Sequence, residues 1–163
     1  MILSHAKISP RLRTFHSGGE APVDPAALKV RRTRLFLVED EKHLRGILVR
    51  WLTGRGYDVR SAENGEAAWQ SLRGEPFDLL ITDLEMPQLN GIGLLRRLRN
   101  ASFFQPAILI SGNLPAITPE KEKWVFPGTI VAKPFPFSVL IIAIEAMLVS
   151  ASHWHPIRKR SGV

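Results

Sequence analysis

Asp83 ends an apolar run, Phe77-Asp78-Leu79-Leu80-Ile81-Thr82, and is followed by Leu84-Glu85-Met86-Pro87-Gln88-Leu89-Asn90-Gly91. A carboxylate at the C-terminal mouth of a buried strand, with a Pro/Asn/Gly turn behind it, stands where open α/β sheets carry their chemistry. Three further sets of polar residues follow short apolar runs in the same way. Glu39 and Asp40 come after Leu35-Phe36-Leu37-Val38, Ser111 after Ala107-Ile108-Leu109-Ile110, and Lys133 after Thr129-Ile130-Val131-Ala132. Parallel strands of one sheet bring their C-terminal ends to a single edge, so residues spread from position 39 to position 133 can converge there.

Each set also has an ordinary structural role. Glu39-Asp40-Glu41 suits a helix N-terminus, where acids favour the dipole. Ser111 suits a cap, Lys133 a solvated loop, and Asp83 a turn. Taken together they make chemical sense. Carboxylates of Asp40 and Asp83 held about 4 Å apart would repel by roughly 4 kcal/mol at an effective dielectric of 20, and a divalent cation relieves that repulsion. An all-oxygen donor set suits Mg²⁺ or Mn²⁺, and the lack of His or Cys near these positions argues against zinc. A cation there would neutralise the oxygens of an incoming phosphoryl group, so that the Asp83 carboxylate acts as nucleophile and forms an acyl phosphate. Lys133 would then supply a counter-charge and Ser111 a hydrogen bond.

The elements that must position these residues are legible from Leu35 onward as alternating strands and helices around a parallel sheet. Leu35–Val38 reads as the first strand. Leu44, Ile47, Leu48, Trp51 and Leu52 form one face of a helix ended by Gly54 and Gly56. Tyr57–Ala62 is a second strand, and Asn64-Gly65 opens a helix through Ala68 and Leu72 that Gly74 and Pro76 close. Phe77–Thr82 is the third strand, apolar enough to be central. A helix follows from Gly91 to Asn100, then strands at Ala107–Ile110 and Thr129–Ala132, and a last helix from Phe137 to Ser150 with Leu140, Ile141, Ile144, Met147 and Leu148 inward. Between Asn113 and Gly128, Pro115, Pro119 and Pro127 allow only a short helix, opened by Thr118-Pro119 with Glu120 in its first turn.

The net charge of +7 invites a nucleic-acid reading until it is divided along the chain. Residues 1–34 carry seven basic and two acidic side chains, and residues 151–163 add three basic ones, which leaves twelve basic against thirteen acidic in between. The basicity belongs to the tails. The predicted organisation is a basic, disordered extension over 1–33, a domain over 34–150 and a basic tail over 151–163. Residues 1–15 weakly resemble a transit peptide but lack the apolar centre of a secretory signal. No cysteine occurs, so disulfides, thiolate metal sites and cysteine nucleophiles are excluded, in keeping with a cytoplasmic protein. Val139–Val149 is too short to span a membrane and carries Glu145.

Four pieces resemble a known family, the receiver domain of two-component response regulators: Leu37-Val38-Glu39-Asp40-Glu41, Asp83-Leu84-Glu85-Met86-Pro87 with Asn90-Gly91, Leu109-Ile110-Ser111-Gly112, and Ala132-Lys133-Pro134-Phe135. Their order and spacing agree across Leu35 to Ser150, 116 of 163 residues. The resemblance implies a doubly wound, flavodoxin-like α/β fold, with a five-stranded parallel sheet in order 2-1-3-4-5 and helices on both faces. It implies Asp83 as phosphoacceptor, supplied by a histidine kinase or phosphotransfer protein. Mg²⁺ would be bound by the carboxylates of Asp40 and Asp83, by Glu39 through water, and by the backbone carbonyl of Glu85. Lys133, with a cis bond to Pro134, would contact the acidic cluster or the phosphoryl group, and Ser111 would move towards that group on activation.

Some positions depart from the family pattern. Glu39-Asp40 stands where Asp-Asp is usual, Gly112 where many members have Ala, and Ile130 where an aromatic commonly couples to the switch hydroxyl. The proline-rich stretch interrupts the usual fourth helix. With nothing after Ser150 long enough for an output domain, the expectation is a stand-alone signalling protein rather than an enzyme. It would act through a downstream protein, as a monomer or a phosphorylation-dependent dimer. Two readings rank below it: nucleic-acid binding through the basic tails, which lack a recognition motif, and an aspartate-nucleophile phosphatase built on Asp83-Leu84-Glu85.

Overall fold

β3 (Leu79–Asp83) and β4 (Ala107–Ser111) are buried at all five positions, the pattern of strands covered on both faces. They lie inside a five-stranded parallel sheet of order β2-β1-β3-β4-β5, with β1 at Arg34–Val38, β2 at Asp58–Ala62 and β5 at Gly128–Ala132. This computed structural model describes residues 31–74, 76–113, 118 and 123–153. The helices are α1 (Lys42–Gly54), α2 (Gly65–Leu72), α3 (Gly91–Asn100) and a final helix, Phe137–His153.

Strand alternation divides the core into two clusters, one per face. Phe36, Val38, Leu80 and Leu109 pack with Ala68 and Leu72 of α2 and with Leu94, Leu95 and Leu98 of α3. Leu35, Leu37, Leu79, Ile81, Ile108 and Ile110 pack on the other side with Leu48 and Leu52 of α1 and with Leu140 and Ile144 of the final helix. The expected doubly wound arrangement is therefore observed. α1 and the final helix are joined further by Trp51 and Phe137, whose ring centroids lie 4.8 Å apart, with the Arg55 guanidinium 4.3 Å over Trp51. Among the described residues no helix is long and apolar enough to cross a membrane.

Register places the functional edge. Val38 pairs with Ala62 on one side and Thr82 on the other, Asp83 with Ile110, and Ser111 with Ala132. The residues that leave β1, β3, β4 and β5 thus emerge along one edge.

The element boundaries differ from expectation in places. β3 starts at Leu79 rather than Phe77, because Asp78 is taken up by Arg34: its N–H donates to the Arg34 carbonyl at 2.9 Å, and its Oδ2 accepts the Arg34 N–H at 2.8 Å. The strand runs one residue further at its other end and includes Asp83. The final helix continues past Ser150 to His153, with the Ser150 hydroxyl turned back onto the Ala146 carbonyl at 2.9 Å and no Gly or Pro to stop it. Residues 123–125 are helical. The proposed helix opening at Thr118-Pro119 lies mostly outside the described residues, as do residues 1–30 of the basic extension and 154–163 of the tail.

Sequence reading gave no hint of the buried Arg99. Its Nη1 donates to the carbonyls of Phe103 (2.8 Å) and Gln105 (2.9 Å), and its Nε to that of Phe126 (3.1 Å). One guanidinium thereby ties the end of α3 and the approach to β4 to the turn before β5. Burial lowers its pKa to about 10, which leaves it charged at neutral pH. Replacing Arg99 by Met strands these carbonyls and is expected to lower the unfolding free energy by about 1–3 kcal/mol, the cost of an unsatisfied buried polar group. Urea denaturation measures it, and Arg99→Lys should restore only part, since one ammonium cannot reproduce the fork.

Candidate functional site

Glu39 continues the line of β1 by one residue, its N–H donating to the Ala62 carbonyl at 3.2 Å. With that bond made, the residue is 1% exposed, under the edge rather than in solvent. Glu41 takes the ordinary role of the acidic triplet. It is the N-cap of α1, accepting the N–H groups of His43 (2.7 Å) and Leu44 (2.5 Å), and those bonds hold its carboxyl below the usual range. With the helix capped, Glu39 and Asp40 are left to face β3.

Asp83 is 5% exposed. Its Oδ1 accepts the Glu85 N–H at 2.9 Å, which is the turn role its position suggested, and its Oδ2 accepts from Lys133 Nζ. Lys133 also donates to Glu39 Oε2 at 3.2 Å. Its backbone N–H is anchored on the Ser111 carbonyl at 2.7 Å, and the bond to Pro134 is cis, as expected. Ligand oxygens of Glu39, Asp40 and Asp83 all lie within 4.8 Å of one another. Such a set, oxygen only and anionic, fits a hard divalent cation.

Electrostatics follow from this crowding. Burial pushes the Glu39 carboxyl upward; Lys133 opposes the shift and the Asp83 charge adds to it, so the net direction is up. For Lys133 burial disfavours the ammonium, but the hydrogen bond to Asp83 and the charges of Glu39 and Asp83 outweigh it and raise its pKa. Lys133 is therefore a fixed positive charge between two buried acids.

Not every expected residue joins the cluster. Ser111 is fully buried, but its hydroxyl donates to the Asn113 carbonyl. Glu85 enters the turn through its N–H, while its side chain is exposed and lies over Gly112, with Oε2 3.6 Å from where a Cβ there would sit. Ile130 is half-buried and packs against the α2/α3 cluster.

Three contacts at the strand ends lie beyond what residue type and spacing show. The Thr82 hydroxyl donates to the Asp83 carbonyl at 3.0 Å. Gly91 lets the loop fold back onto the strand end: a Cβ on it would lie 2.4 Å from the Asp83 carbonyl oxygen. Arg45 Nη1 donates to the carbonyls of Glu39 (2.6 Å) and Asp40 (3.1 Å). One signal was available for Arg45, since a cation this near a helix N-terminus is disfavoured by the dipole and calls for a compensating contact.

Comparison with known proteins agrees with the geometry. A family model described as the response regulator receiver domain matches residues 35–145. The chain is 35% identical over 119 residues to the response regulator receiver protein CpdR of Brucella abortus, covering 72% of this chain and 98% of that one. It is 34% identical over 122 residues to the chemotaxis protein CheY1 of Helicobacter pylori, covering 71% and 96%. Among solved structures, TrrA of Thermotoga maritima in complex with Mg²⁺-BeF has a TM-score of 0.64 at 28% identity, covering 71% of this chain and 99% of that one. FixJ-N has a TM-score of 0.65 at 30% identity, covering 78% and 99%.

Two outcomes follow for the strand-end chemistry. Because the folded-state pKa of Glu39 is raised, the folded protein keeps a proton that the unfolded chain loses. The contribution of Glu39 to stability is present below the ordinary value of 4.5 and falls as pH rises through that value to the raised one. Glu39→Gln should therefore raise the cation-free melting temperature at neutral pH and flatten its decline above pH 4.5, measured by thermal unfolding across pH. Gly91→Ala forces its new methyl against the Asp83 carbonyl and should destabilise the fold by about 1–3 kcal/mol, as overpacking does, with the Asp83 amide resonance displaced in the NMR spectrum.

Proposed function

The chain belongs to the receiver domain family of two-component response regulators, and from that premise we propose that Asp83 accepts a phosphoryl group from a histidine kinase or phosphotransfer protein in a Mg²⁺-dependent step. The observation that carries the reading is the placement of the Asp83 carboxylate. It is nearly buried, aimed by the Glu85 N–H and Lys133, and faces the carboxylates of Glu39 and Asp40.

In the proposed step one Asp83 oxygen attacks phosphorus, an O–P bond forms, and the P–N bond to the donor imidazole breaks with its electron pair returning to the ring. Asp40 and Asp83 would hold Mg²⁺, or Mn²⁺ in its place, through carboxylates, Glu39 through water and Glu85 through its carbonyl; when bound, the ion would supply charge neutralisation of the phosphoryl oxygens. Lys133 is already protonated and paired with Asp83, so it needs only to follow the new negative charge onto the phosphoryl oxygens. The Ser111 hydroxyl exchanges the Asn113 carbonyl for a phosphoryl oxygen and carries the change into β4. Ile130, an aliphatic side chain beside β4, takes the place of the aromatic that commonly reports this movement, so readout at this edge is steric rather than through a rotating ring. Residues 34–150 act as the signalling domain between basic flanking segments. The protein works in the cytoplasm by protein contacts rather than by substrate turnover.

The test is incubation with Mg²⁺ and a small acyl-phosphate donor, followed by intact mass and peptide mapping. A single phosphoryl adduct on Asp83 is expected, lost in Asp83→Asn and in excess chelator. An adduct that persists undiminished in Asp83→Asn would remove Asp83 from the role.

A further inference from the structure

We propose that Arg45 is a positioning residue of the acidic cluster: its guanidinium holds the backbone of Glu39 and Asp40 so that their carboxylates face Asp83, and thereby sets the affinity for a divalent cation. The inference rests on the reading of this cluster as a Mg²⁺ site.

Arg45 stands in the first turns of α1, where the helix dipole disfavours a cation, with Glu41 at the N-cap as the nearby acid. Its side chain does not extend into solvent. It turns back past the N-cap, and a single nitrogen, Nη1, donates to two consecutive carbonyls, Glu39 at 2.6 Å and Asp40 at 3.1 Å. Its backbone N–H donates to the Glu41 carbonyl at 2.9 Å. One residue thus fastens three successive peptide groups of the turn that carries the acids. The N–H of Glu39 is held from the other side by Ala62. Asp40 is exposed, so its side chain keeps its rotamer freedom and the backbone fixes the origin and direction of its Cα–Cβ bond. Outer-shell partners bonded to the ligating groups themselves are worth about 10–100-fold in metal affinity, the scale taken for a residue that holds the ligands' backbone.

A second consequence separates positioning from plain charge. A guanidinium beside a cation site repels the cation, so if Arg45 acted only through its charge, removing it would tighten Mg²⁺ binding. If it acts by holding the turn, removing it loosens binding. The two effects have opposite signs.

The experiment is calorimetric titration of Mg²⁺ into the full chain, its Arg45→Met and Arg45→Lys variants, with amide hydrogen exchange and cation-free melting recorded alongside. Arg45→Met is expected to weaken Mg²⁺ binding about 10-fold or more and to speed exchange at the Asp40 and Glu41 amides relative to the β3 amides. Because both bonds come from one nitrogen, the Arg45→Lys ammonium can make them in part, and its affinity should fall between the two. An Arg45→Met chain that binds Mg²⁺ as tightly as wild type, or more tightly, overturns the inference while leaving the cation site intact. Should Arg45→Met not fold, Arg45→Lys decides alone, since its shorter reach is expected to weaken binding and unchanged affinity overturns the inference. Failure of the wild-type chain to bind Mg²⁺ at all overturns the underlying reading, and this inference with it.

Discussion

Three carboxylates meet at one corner of this sheet, and Lys133 is the cation that the chain itself supplies to hold them there. Two of the three, Glu39 and Asp83, are almost withdrawn from water, where like charges cost most. Lys133 reaches both. Everything else at the edge serves this contact: β5 must run beside β4 to bring Lys133 close, β1 and β3 must lie side by side to face their acids, and the turn after each strand must aim a side chain inward. Lys133 pairs with two of the three acids, and the negative charge that remains is what a divalent ion is suited to cancel.

The surrounding backbone is held by a repeated device. Where the chain leaves regular structure, carbonyl groups lose their ladder partners and need other donors. Arg45 serves the carbonyls of Glu39 and Asp40 at the functional edge. Arg99 serves those of Phe103, Gln105 and Phe126 towards the opposite edge. In both places one guanidinium serves several peptide carbonyls, consecutive ones of a single turn for Arg45 and ones from separate segments for Arg99.

β4 carries a hydroxyl at the functional edge. Ser111 ends the strand fully buried with its hydroxyl on the Asn113 carbonyl, and Ile130 of β5 pairs with Leu109, two residues before it. A phosphoryl group on Asp83 would put about −2 charge where the carboxylate carries −1, while moving a two-state element from 1:99 to 99:1 would take roughly 5.5 kcal/mol of differential stabilisation. The exchange of one hydroxyl bond proposed for Ser111 would supply only a fraction of that, about 1.5–3 kcal/mol even for a bond to a charged group. On that reading the remainder would have to come from a partner that prefers one state.

Much of this was legible in the sequence because it rests on local pattern. Apolar runs of strand length, helical periodicity at Leu44 to Leu52, and charged residues at strand ends gave the parallel sheet, its order through family resemblance, and the convergence of Asp83, Glu39, Asp40 and Lys133. Local pattern also explains the errors: Phe77-Asp78 looks like strand until Arg34 claims Asp78, and Ser150 looks like a helix end although nothing stops the helix there. What only the tertiary structure decided were contacts between residues distant in sequence or turned back on themselves. The division of labour in Glu39-Asp40-Glu41, with Glu41 capping and the other two facing β3, needs the direction of α1. The roles of Arg45 and Arg99 need carbonyls that composition cannot reveal, and the orientation of Ser111 towards Asn113 needs the path of the loop. Residue type and spacing settle which charges are present; only packing settles which of them are buried together and must be neutralised.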